Sequence, residues 1–275
     1  MKYLAHVFLL LVGVGAAFLR WVDLVNFVDA ETGFVLVGSV WWRYGALGLL
    51  CVLAFAACFM AARRPQSLEG GCAVCGVVLC LAAALCAAYN GTALYAALDP
   101  ATFFASGLSA LAWLNMIAIA EAGIALLGLL CATWLFALAF AQFGKGYRLP
   151  AGGVSLGLFG NFYFYAVLIF RFAANQSSYH RLAPTISVFC GAAALWLFTV
   201  LLRAVYFPQS RVGRKVYFAG LACFYITIVF ALPQAVFDLM VGSDTVAACA
   251  EGMLFAAFGL VGAAFATRAL GAEKV

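Results

Sequence analysis

The sequence predicts an all-α fold, a polytopic transmembrane helix bundle, and three observations predict it. Hydrophobic residues make up 68% of the chain and charged residues only 9%, far from the soluble average. The 15 Lys plus Arg and 10 Asp plus Glu fall in short clusters that separate apolar runs of bilayer length, and no polar stretch is long enough for a separate soluble domain. Proline marks the gaps: Pro65, Pro100, Pro150, Pro184 and Pro208 lie in or beside connections, where a missing N–H costs little.

Lipid offers the backbone no hydrogen-bond partner, so each long apolar run is read as a helix, which needs about 20 residues to cross. Spans are predicted near 3–19, 44–62, 71–88, 154–170, 182–202, 216–237 and 246–267, all within one integral membrane domain covering 1–275. Pro233 alone lies inside a span, where it predicts a kink near Gln234. The stretch 102–142 carries a single charge, Glu121, and as one helix would be roughly 60 Å long, twice the core thickness. Either two spans meet at a turn near Glu121, or a span at 122–142 follows an interfacial or re-entrant helix at 102–120. Thr102, Ser106, Ser109 and Trp113 would line one weakly polar stripe of that helix. No Gly-Asn or Pro-Gly turn signal stands at Glu121, which favours eight spans over nine.

Lys and Arg tend to stay on the cytoplasmic side. With eight spans and both termini cytoplasmic, the basic residues outside are Arg20, Arg43, Arg171 and Arg181, and the other eleven of the 15 are inside. Asp23, Asp29, Glu31, Asp99, Asp238, Asp244 and Glu251 gather at the outer side. The net charge of +5 therefore follows from orientation and gives no reason to expect a nucleic acid partner. Lys2 and the apolar run after it have some features of a signal peptide, but the run is long and further spans follow, so a retained first helix is expected.

Familiar motifs stand in the wrong context. Cys72-Ala-Val-Cys75 has dithiol or half-zinc spacing, yet no second Cys pair and no nearby His completes a site, and most of the ten cysteines sit in apolar helices as small hydrophobic residues would. Gly153-Val-Ser155-Leu-Gly157 matches a nucleophile elbow by letter but opens a lipid-length helix, where Gly153 and Gly157 read as a close-packing pair. Gly107-Leu-Ser109-Ala110 falls short of the rhomboid protease pattern, and no nucleotide-binding loop is present. The chain is expected to hold no cofactor and no metal and to have no catalytic set. Asn90-Gly-Thr92 and Asn175-Gln-Ser177 match glycosylation acceptors by chance.

Polar residues within spans are the candidates for function. Glu121 is isolated by about 20 uncharged residues on each side, and with Asn161, Tyr165 and Gln234 it forms a candidate solute or ion path. The expected position of Glu121 is the outer headgroup boundary, at the start of the next span. Arg171 and Glu251, near outer ends, could pair across two spans. In the outer connection Arg20 to Arg43, Asp29, Glu31 and Thr32 form a candidate loop site, with Gly33 as the turn residue. Arg211, Arg214 and Lys215, with Arg203, form a basic cytoplasmic loop suited to anionic lipid or to docking.

An arginine closing the first span, followed by the Asp29-Ala-Glu31-Thr32-Gly33-Phe34 loop, resembles uncharacterised polytopic membrane proteins common in Gram-positive anaerobes. The resemblance covers roughly the first 60 residues; it implies a bacterial plasma-membrane address and no activity. The Ala/Leu/Gly-rich composition points the same way. The function expected is that of a transporter or permease subunit for a small solute, partnered by the lipid bilayer and by a separate ATPase or other membrane subunit. The alternative is a non-catalytic scaffold or sensor that binds partners through its loops.

Overall fold

A computed structural model describes residues 1–29, 33–61, 71–98, 108–144, 149–174, 182–207, 211–242 and 246–271. The helices are α1 (Lys2–Phe27), α2 (Val40–Ala57, prolonged by a 3-10 turn at Cys58–Met60), α3 (Ala73–Ala97), α4 (Leu108–Phe143), α5 (Gly153–Ala174), α6 (Leu182–Tyr206), α7 (Gly213–Val241) and α8 (Val246–Ala269). All eight are long and apolar enough to cross a membrane. The protein is an all-α, multi-pass membrane protein. Among the described residues the one strand-like pairing is an isolated bridge between Val28 and Val35.

Several helices outrun their predicted spans. α1 continues from Leu19 to Phe27, which moves Arg20 and Asp23 from the expected connection into a helix. Their i,i+3 ion pair explains how the helix survives two charges at its end. α3 reaches Ala97, so Asn90 is a buried helix residue rather than part of an outer loop. α4 runs unbroken from Leu108 to Phe143, 36 residues or about 54 Å. The turn considered near Glu121 is therefore not formed. The sequence around it is Ala-rich with no proline, and Gly123 alone near Glu121 is too weak to end a helix, so propensity carries the helix through. Thr102 and Ser106 lie outside the described residues.

The helices α3 to α8 pack in chain order into a closed ring, each against the next, with α8 returning to α3. α1 and α2 lie outside the ring, against α7. Burial follows this arrangement: 17% of the apolar window of α1 is buried inside the protein, against 78% for α7. α1 therefore presents mostly a lipid-facing surface and α7 is the central helix. Aromatic side chains fill the ring. Phe164 of α5 meets Phe258 of α8 edge-on at 4.8 Å and Phe198 of α6 at 5.5 Å, and Trp134 of α4 lies 4.8 Å from Phe198. These rings are fully buried, so the middle of the bundle is packed and not an open pore.

Glycines set the closest approaches. Cβ atoms built on Gly220 of α7 and Gly262 of α8 would each run into the other's backbone, so these helices cross with main chains in contact. Gly157 faces Leu202 and Trp134, and Gly160 faces Phe198, so these two serve packing, whereas Gly153, expected to pair with Gly157 in close packing, meets nothing within 4 Å and instead takes φ 63° at the helix start.

α1 docks on α7 along a stripe with a seven-residue step. Its buried residues are His6, Gly13, Arg20 and Leu24, and the first three meet Tyr217, Phe224 with Tyr225, and Phe230 in turn. Tyr225 donates to the Leu9 carbonyl at 3.1 Å. Two parallel helices in contact keep such a register. At one end His6 is fixed: Nε2 lies 2.8 Å from Thr267 Oγ1, and Nδ1 lies 3.0 Å from the Tyr217 hydroxyl. Thr267 donates its own proton to the Ala263 carbonyl. Its oxygen is therefore placed to accept from Nε2–H, and the Tyr217 hydroxyl can serve Nδ1, so both ring nitrogens have a partner.

Candidate functional site

α7 is not a uniform helix. Between Gly213–Ile226 and Leu232–Val241 it widens into a π turn at Thr227–Ala231. Pro233 explains the position, because it supplies no N–H to the Val229 carbonyl and its ring crowds that turn. The kink expected near Gln234 thus takes the form of a widened turn just before it. Thr227 back-bonds to the Cys223 carbonyl at 2.8 Å within the same stretch.

Beside this turn lies a cavity of about 260 Å³, lined from α1, α5, α6, α7 and α8. It is at the end of the bundle that charge placement assigns to the outside. Its polar lining is Arg20, Arg171, Ser187, Gln234, Asp238 and Glu251. Its apolar lining includes Phe230, Phe255 and Cys190, and the packed aromatic core begins one turn deeper at Phe258. A second, more open cavity of about 450 Å³ between α1, α2 and α7 shares Arg20 and Phe230 with the first.

Ionised groups in a membrane interior persist when they are paired and hydrogen-bonded, and both arginines are. Arg171 donates from Nε to Glu251 Oε1 at 3.2 Å, with Nη2 2.5 Å from the same oxygen, and from Nη1 to the Ser187 carbonyl at 2.5 Å. Its guanidinium carbon also stands 4.4 Å from the centre of the Phe255 ring. The pair expected between Arg171 and Glu251 is thus formed, and it ties α5 to α8. Arg20 bonds Asp23 on its own helix, and Asp23 in turn takes a two-pronged contact from Arg43 of α2, Nε to Oδ2 at 2.9 Å and Nη2 to Oδ1. One carboxylate therefore serves two guanidiniums. Arg20 is 7% exposed, and its buried Nε has no partner among the described residues. Across the cavity Gln234 donates to Asp238 at 2.8 Å.

The residues singled out from sequence are not brought to one place. Gln234 lines the cavity. Glu121 is exposed on α4, three residues into the apolar stretch that starts at Ala118. Asn161 lies at a groove near the other end of the bundle with Arg203 and Tyr206, its Oδ1 3.2 Å from Thr199 Oγ1. Tyr165 is 55% exposed on the outer surface of the ring. In the first connection Asp29 pairs its backbone N–H with the Phe34 carbonyl at 2.9 Å, and Gly33 adopts φ 68° at the turn between them; Glu31 and Thr32 lie outside the described residues. Arg211 and Lys215 are exposed at the start of α7, whereas Arg214 stacks over Phe59, 5.3 Å from its centroid.

Arg20, Asp23, Arg43 and Asp238 do not stand out in the sequence because each lies near a span end, where charges are ordinary. The spacing of His6, Gly13 and Arg20 is the available signal for the buried stripe that carries Arg20 inward.

At the opposite end Cys72 sits at the N-terminus of α3 with Cys75 one turn on. Burial pushes the Cys72 thiol up, but hydrogen bonds from the Cys75 backbone and side chain, aided by the nearby Arg268 charge, outweigh it and leave the thiol below its usual range. No group of three or more His, Cys, Asp and Glu side chains converges among the described residues. What the outer-end site offers is binding chemistry: fixed charges of both signs around a partly apolar chamber. No protein-family model matches the chain, and no curated protein or solved structure matches it either.

Proposed function

We propose that this membrane protein is a transporter or permease subunit that takes a small polar solute into the cavity at its acidic end. The observation that carries this reading is the chamber itself: two buried arginines, two carboxylates and an amide, drawn from α1, α5, α7 and α8, around a space of about 260 Å³. Charges are ordinary near span ends, but here groups of both signs from four helices converge on one space. The volume is just under the usual range for drug-sized ligands, roughly 300–1,000 Å³, which suits a small solute.

The cavity abuts the distorted segment of α7, and a helix interrupted at membrane depth is a common element of solute sites in carriers. The π turn and Pro233 give α7 a place to bend, and bending there would move Phe230 relative to the aromatic core. Energy would come from a coupled ion or from a separate ATPase docked on Arg211, Arg214 and Lys215. The bacterial plasma membrane is the proposed location. The packed core favours one second reading, a receptor that binds the solute and signals through a partner without moving it.

Both readings are tested by reconstituting the purified chain, alone and with any companion that co-purifies from native membranes, into proteoliposomes and measuring uptake of radiolabelled small solutes. Saturable uptake that is lost in Arg20→Gln supports transport through this site. Binding to the chain without uptake in either preparation overturns transport and leaves the receptor reading.

A further inference from the structure

We infer that the ligand of the outer-end cavity is a zwitterion of the amino-acid class with an apolar side chain. The inference rests on the reading of the cavity as a solute site, and it follows from three observations. First, the buried Nε of Arg20 donates to nothing among the described residues, and Arg20 lines the cavity. A buried guanidinium N–H left without an acceptor is costly, and a ligand carboxylate supplies that acceptor with the planar geometry that arginine favours.

Second, charges of both signs line the cavity. Among the described residues Arg20 and Arg171 stand there with Asp238 and Glu251. A zwitterion offers a partner to either sign and adds no net charge to a poorly solvated place. Arg20 stands on α1, and Asp238 and Gln234 stand on α7, so a dipolar molecule laid across the cavity directs its carboxylate toward α1 and its ammonium toward α7.

Third, the remaining lining is apolar and aromatic. Phe230, Phe255, Ala235 and Cys190 form the deeper part of the chamber, which accommodates the side chain of a leucine- or phenylalanine-like ligand and gives little to a strongly polar one. Arg20 then acts as the carboxylate anchor and Asp238 as the ammonium anchor, while the Arg171–Glu251 pair braces the wall behind them.

The test uses the purified full-length protein in detergent. Binding of the twenty proteinogenic L-amino acids is read by thermal stabilisation and equilibrium dialysis. L-leucine is then compared with 4-methylpentanoate, which lacks the amine, and with 3-methylbutylamine, which lacks the carboxylate. Apolar amino acids are expected to bind, and each one-charge analogue to bind at least about tenfold more weakly. Arg20→Gln should abolish binding of leucine. Asp238→Asn, which keeps the side-chain shape, should weaken it while sparing 4-methylpentanoate. The analogue series needs no variant, so a misfolded Arg20→Gln protein leaves the test intact. If 4-methylpentanoate binds as well as leucine, or if none of the twenty binds, the zwitterion assignment is overturned. Should a different solute be taken up into proteoliposomes in an Arg20-dependent way, the assignment fails and the transport reading survives. Should leucine bind as described without being taken up, the assignment stands and the transport reading fails.

Discussion

Arg171 of α5 and Glu251 of α8 lie 2.5 Å apart at Nη2 and Oε1, and the same arginine bonds the Ser187 carbonyl of α6. One side chain thereby fastens three helices around the mouth of the cavity. Removing either partner leaves a charge in poorly solvated surroundings. Arg171→Ala and Glu251→Ala are each expected to lower stability by up to about 3 kcal/mol, the lower end for a buried pair because the Glu251 side chain is 27% exposed. The swapped double variant, Arg171→Glu with Glu251→Arg, should recover part of this loss, but not the bond to Ser187. Thermal melting in detergent of the unaltered protein, the two alanine variants and their double-alanine combination gives the coupling; additive losses would mean that the pair does not act as a pair.

Gly13 and Gly15 make a matched comparison on α1. A Cβ on Gly13 would come within 2.5 Å of Phe224 and 2.9 Å of Tyr225, whereas one on Gly15 meets nothing within 4 Å. Gly13→Leu should push α1 off α7 and cost about 1–3 kcal/mol, and Gly15→Leu should leave stability unchanged or slightly raised. Because Arg20 rides on the same stripe two heptads from His6, Gly13→Leu should also weaken ligand binding without touching the cavity. Equal melting temperatures for the two variants would show that the stripe is not a close contact.

Pro233 holds the π turn open. Pro233→Ala restores an N–H donor, and the widened turn can then relax to an α-helix, which rotates the following residues by roughly 100°. Gln234 and Asp238 would leave the cavity. The measurable outcome is the reactivity of a cysteine placed by Gln234→Cys toward a small water-soluble thiol reagent. It should be high when Pro233 is kept and strongly reduced when Pro233→Ala is added. Unchanged reactivity would mean that tertiary packing, such as Gly259 against Thr227, sets the turn without the proline.

Cys72 is a thiol whose protonation responds to its setting outside the spans, and its pKa is lowered from that of an ordinary thiol. Since the thiolate is the reactive form, the alkylation rate of Cys72, followed by mass spectrometry of its peptide, should rise to half its maximum at a lower pH than that of the same cysteine in the denatured chain. Cys75→Ala removes the side-chain donor and should shift that midpoint upward. A midpoint at or above the ordinary value in the unaltered protein would remove the basis for this assignment.

Some of the site can be read in one dimension and some cannot. The Arg171–Glu251 pair and the break near Gln234 are both legible. An acid and a base near the same ends of two spans can meet, and a proline inside a span must disturb it. Glu121, Asn161 and Tyr165 stand out as isolated polar groups, yet an exposed glutamate, a groove-lining amide and a lipid-facing tyrosine do not converge. Sequence isolation measures the cost of placing a polar group in lipid, not the direction in which a helix turns it.

The sequence by itself determined the fold class and most of the spans, because hydrocarbon thickness and the need to satisfy every backbone group leave a long apolar run no other structure; that Leu108–Phe143 is one continuous helix was decided by the structure. The sequence also implied which charges share an end, since successive spans alternate in direction. Only the tertiary structure decided which face of each helix turns inward. In lipid, apolar side chains are content on either side, so hydrophobicity distinguishes lipid-facing from buried surface poorly, and close packing and hydrogen bonding decide instead. That is why α1, apolar around most of its circumference, buries the His6, Gly13 and Arg20 stripe against α7, and why a charged chamber forms from residues of five helices that no spacing in the chain connects.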